Sequence, residues 1–164
     1  MTAHLSTDVS TLPELLLRRA GEIPDAPFLR HASARWTYGE FGHRVAQVAA
    51  GLRDSGVGRG DVVGVILRNS PEYLEVWWAI LWLGAVFNPV NPDLTGREAA
   101  GILSDSGATT VVCSEEAAAA LAEHDLPALR QVTTGIDSRI AIGPGDGADQ
   151  HDAEGGNHNP LSPR

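Results

Sequence analysis

The 164 residues carry 12 basic side chains against 21 acidic ones, a net charge of −9, with 43% apolar residues and a single cysteine. All the basic positions are arginine, and the lack of lysine excludes a phosphate-loop lysine, a Schiff-base lysine and a lysine-assisted adenylation supplied by this chain itself. The acidic balance also excludes nucleic acid and anionic membrane as main partners, because both demand a basic footprint.

The length suits one domain with a real core. Cys113 is alone, so no internal disulfide framework exists, and a reducing compartment is the simplest home. Residues 1–19 lack a basic segment followed by an apolar stretch and a small-residue cleavage site. The most apolar run, 76–87, has twelve residues where a spanning helix needs about 20. A cytoplasmic protein without a membrane span is therefore expected.

In chain order, the first helix signal is Thr11 with Glu14, a hydroxyl three residues before a glutamate, which satisfies two backbone donors at a helix start. Thr37 with Glu40 repeats it. After Thr37, the residues Phe41, Val45, Val48, Ala49 and Leu52 fall on one stripe at helical spacing, and Gly56 ends the helix. The run 62–67 is apolar without alternation, as in a strand covered on both faces of a parallel sheet. Ser70 caps a further helix with Pro71 in its first turn. Tyr73, Leu74, Val76, Trp77, Trp78, Ile80, Leu81, Trp82 and Leu83 make that helix apolar on nearly every side, which predicts burial all round. Strands follow at 86–90, 109–113 and, more weakly, 131–134, with a helix between the first two opened by Thr95 and Glu98. From Gly135 onward, six of the 18 glycines, three of the ten prolines and only seven apolar residues fill the last thirty positions. Residues 1–134 are thus expected to form the folded unit and 135–164 a flexible tail.

Alternating strands and helices give an α/β fold: a partly parallel sheet with helices on both faces. Right-handed crossovers put the junctions 67–70 and 90–93 at the carboxyl ends of strands, the edge where ligands bind in open α/β sheets. Asn69 and Ser70 are an anion-site candidate there, against the simpler role of Ser70 as a cap. Gly143, Gly145 and Gly147 lack the strand and lysine of a phosphate cradle. Arg59, Gly60 and Asp61 form a connecting turn. His151 and His158, among Asp149, Asp152 and Glu154, fit no metal site of defined geometry. Cys113, with no basic neighbour, is a buried small hydrophobe. Trp77, Trp78 and Trp82 either line an apolar acyl pocket or pack the core, and the core is favoured. The residues themselves thus assign no catalytic position and no metal ligand, and leave the cofactor-binding positions unknown.

The order of segments resembles the amino-terminal portion of the AMP-forming adenylating enzymes, which include acyl-CoA synthetases, peptide-synthetase adenylation domains and luciferases. WTYGEF at 36–41 is similar to their early Thr-Tyr motif, and LWLGAVFNPVNP at 81–92 to their Gly-Ala-x-x-x-Pro-x-x-Pro motif, with wording nearer the acyl-CoA ligases. The resemblance spans about 9–134. It implies a family reaction in which ATP and a carboxylic acid give an acyl-adenylate, and coenzyme A then takes the acyl group, with Mg2+ assisting. It also implies that the phosphate loop, the magnesium ligand and the catalytic lysine of the family lie beyond the residues present. These 164 residues are accordingly expected to be an amino-terminal fragment, inactive alone and binding no cofactor by itself. The alternative is a noncatalytic module that associates, through exposed apolar surface, with a separately encoded remainder or another protein.

Overall fold

The computed structural model describes residues 11–134. Along the chain run α1 (Leu12–Glu22), β1 (Pro27–His31), β2 (Ala34–Thr37), α2 (Tyr38–Asp54), β3 (Val62–Ile66), α3 (Pro71–Trp82), β4 (Val86–Pro89), α4 (Gly96–Ser106), β5 (Thr110–Cys113), α5 (Glu115–Leu121) and β6 (Gln131–Thr133). The tail segment 135–164, with its glycines and histidines, lies outside the described residues, as do 1–10.

Helix starts follow the capping chemistry. The side chains of Thr11, Thr37 and Thr95 each accept a hydrogen bond from the backbone N–H of the glutamate three residues on, and the carboxylate of that glutamate accepts one from the threonine N–H. In the last box the Thr95 N–H donates to the Glu98 carboxylate at 2.9 Å and the Thr95 hydroxyl at 2.8 Å, which holds this carboxyl below the usual glutamate range. α4 ends at Gly107, whose φ of +67° is the left-handed cap geometry.

β3, β4, β5 and β6 form one sheet in the order β4-β3-β5-β6, and every neighbouring pair is parallel. α1, α2 and α3 cover one face through Leu16, Phe41, Val45 and Val76, which pack with Val63, Val65 and Val112. α4 and α5 cover the other through Leu103 and Leu121, packed with Ile66, Val111 and Cys113. Successive residues of β3 and β5 therefore serve opposite cores, and this is why their sequences are apolar without alternation. β4 is an edge strand of this sheet, and it ends in Pro89, a residue that sheets admit at edges.

Three elements have no counterpart in the sequence prediction. β1 and β2 form an antiparallel hairpin whose register puts His31 opposite Ala34. Its two-residue loop carries Ala32 at φ +52° in place of the usual glycine or asparagine, so the turn has no sequence signature. α5 is short, with its cap at Ser114.

One prediction is corrected. α3 is not buried all round: Val76, Ala79 and Ile80 are buried, whereas Trp77, Trp78 and Trp82 are only half-buried. α2, α1, the β1 residue Phe28 and the sheet cover part of the helix surface, and the rest leaves the tryptophan rings partly exposed. Its most buried polar group is Glu75, at 1% exposure, whose carboxylate takes the guanidinium of Arg44 from α2. That guanidinium also lies 6.0 Å from the centre of the Trp36 ring.

Candidate functional site

A parallel sheet wound outward from β3 sends its connections to opposite faces. α3 leaves β3 toward the α1–α2 side, and α5 leaves β5 toward the α4 side. The carboxyl ends of β3 and β5 thus flank a topological switch point, the general ligand-binding position of open α/β sheets. A cavity of about 370 Å³ opens at this edge. Ile66 at the end of β3 and Arg68 just past it line the cavity, Pro92 and Leu94 follow β4, and Ser114 follows β5. Ala99 of α4 and Ala117, Ala120 and Leu121 of α5 complete an apolar wall. Gly96 closes it: a Cβ there would stand 2.6 Å from the Ala120 carbonyl oxygen, so only glycine lets α4 approach α5 this closely.

The polar groups sit at the rim. The Arg68 guanidinium pairs with Asp93 at 2.7 Å, and both side chains are mostly exposed, at 76% and 64%. That exposure makes the pair weak in water. Ser114 Oγ accepts from the Ala117 N–H at 3.2 Å, which is cap geometry. Below the floor, Cys113 is buried, and burial pushes its thiol up to about 11, so it stays protonated at neutral pH.

The sequence-derived positions distribute as follows. The junctions 67–70 and 90–93 do reach the carboxyl edge of the sheet, and both contribute to the cavity through Arg68 and Pro92. Asn69 and Ser70 do not line it; Ser70 Oγ accepts from the Tyr73 N–H at 3.2 Å and so caps α3. Arg59 and Gly60 lie in the turn between α2 and β3, where the Asp61 carboxylate accepts from the Gly58 N–H at 2.8 Å. Trp78 packs against Phe28 and Phe41 in the core, and Trp77 stacks on Phe87 with ring centres 5.5 Å apart. The tryptophans lie on the α2 side of the sheet, and none of them lines the cavity. The lone glutamate inside the apolar run of α3 was the available signal for the Arg44–Glu75 pair, which sequence inspection passed over.

Chemically, this edge can hold a small apolar group between the Arg68 guanidinium and Glu116, the acidic residue of the lining. It brings together no nucleophile and base, and among the described residues no three His, Cys, Asp or Glu side chains converge on a possible metal position. The donor set does not fit Mg2+ and a triphosphate: the rim arginine is paired with Asp93, and no carboxylate cluster stands beside it.

Comparison with known proteins gives these parts a family. The model for the AMP-binding enzyme matches residues 16–161. The chain belongs to the AMP-binding enzyme family. It is similar to a feruloyl-CoA synthase of Amycolatopsis, 40% identical over 119 residues that cover 73% of this chain and 24% of that protein. It is also similar to 4-coumarate--CoA ligase 2 of Oryza sativa, 33% identical over 134 residues, 80% of this chain and again 24% of the relative. The chain thus spans about a quarter of the length of these curated relatives. Among solved structures, the N-terminal domain of FACL13 from Mycobacterium tuberculosis superposes with a TM-score of 0.75 at 24% identity, covering 91% of this chain and 40% of that one, which shows the shared fold. As an AMP-binding enzyme family member, the chain has the α/β architecture of an acyl-CoA ligase N-terminal domain, and its match runs through both resemblance motifs at 36–41 and 81–92.

Proposed function

We propose that this chain supplies the N-terminal scaffold of an AMP-forming acyl-CoA ligase, which joins a carboxylic acid to coenzyme A at the expense of ATP. The observation that carries it is the 40% identity over 119 residues to a feruloyl-CoA synthase. A soluble cytoplasmic setting accords with the single buried thiol and with the absence, among the described residues, of a helix long and apolar enough to cross a membrane. ATP, Mg2+ and coenzyme A would be held by the complete ligase and not by residues 1–164 alone, which contain no lysine and, among the described residues, gather no cluster of metal-ligating side chains.

Residues 1–164 alone then form no acyl-adenylate. Fixed donors and a cation at the leaving pyrophosphate supply most of the electrostatic stabilisation in such a transfer, and none is assembled among the described residues. Purified chain incubated with ATP, Mg2+ and a panel of cinnamic and fatty acids is expected to release no pyrophosphate above the acid-free control; acid-dependent release overturns the inactivity. The ligase assignment has its own test in the coding DNA past codon 164. A frame continuing into a Ser/Thr/Gly-rich loop that ends in Pro-Lys-Gly supports it, and a verified stop followed by unrelated sequence overturns it.

A second function, a noncatalytic module that docks on a separately encoded remainder, draws on the half-buried aromatic stripe of Tyr73, Trp77 and Phe87 beside the exposed Val86. Its signature is co-purification with a lysine-bearing chain of the same family.

A further inference from the structure

We draw no further inference here: the strongest candidate, the cavity of about 370 Å³ between α4, α5 and the carboxyl ends of β3 and β5, belongs to the site already described, and its polar lining residues Arg68, Ser114 and Glu116 are all exposed, so nothing in the structure shows what it would select.

Discussion

Gly64 shows how one residue sets the distance between layers. It sits in the middle of β3, and a Cβ built there would lie 2.3 Å from Leu103 Cδ2 of α4 and 3.3 Å from Val111 Cγ2 of β5. Leu103 is 1% exposed, so its side chain can yield only by repacking within the core. Gly64→Ala is therefore expected to destabilise the fold by about 1–3 kcal/mol, the range for overpacking a dense core. Chemical denaturation checks this, with Leu103→Ala as the partner in a double-mutant cycle: the alanine at 64 should cost clearly less once the leucine is shortened. Cys113 illustrates the opposite case, a side chain whose character follows from its surroundings. With its thiol pushed up to about 11 by burial alone, it behaves as a small apolar residue under Ile66 and Leu121.

Between elements, the α2–α3 contact is the most polarised in the core. Glu75 is carried into it by the same stripe that buries Val76 and Ala79, and Arg44 reaches over from α2 to meet it. The arginine side chain retains 16% exposure against 1% for the glutamate, so solvent still screens one end of the pair. Glu75→Gln should cost about 2–3 kcal/mol, below the about 3–5 kcal/mol typical of breaking a fully buried pair. Replacing both partners together, as Arg44→Met with Glu75→Leu, is expected to restore most of that loss, because no isolated charge is then left in the interior. Urea midpoints of the three variants decide it; a double variant no more stable than Glu75→Gln would show that the helices depend on the pair itself.

At the scale of the whole molecule, the sheet ends among the described residues in two edge strands, β4 and β6, and β4 carries the aromatic flank. Among the described residues β4 pairs only with β3, and Val86 on it is 50% exposed, close to the stacked rings of Trp77 and Phe87. An apolar edge of this kind templates pairing with another strand. The isolated chain should therefore self-associate as its concentration rises, and Val86→Lys should suppress this without altering the circular dichroism. Sedimentation velocity provides the measurement: wild-type chain that stays monomeric at about 100 µM would refute it.

Sequence by itself determined what depends on near neighbours along the chain. The threonine–glutamate boxes, the Ser70–Pro71 start and the unalternating runs of β3 and β5 name their elements because capping, proline geometry and two-sided burial act over a few residues. Segment order at 36–41 and 81–92 was enough to reach the family. Tertiary structure alone decided the rest. The β1–β2 hairpin turns on Ala32, a residue without turn chemistry, and exists because Phe28, Leu29 and Trp36 pack on the α1–α2–α3 core. The half-burial of the α3 tryptophans depends on which walls surround the helix, a property absent from its apolar count. The cavity gathers Ile66, Pro92, Gly96 and Ser114 from far-separated points because β3, β4 and β5 end at one edge, a juxtaposition that strand order creates and local sequence does not encode.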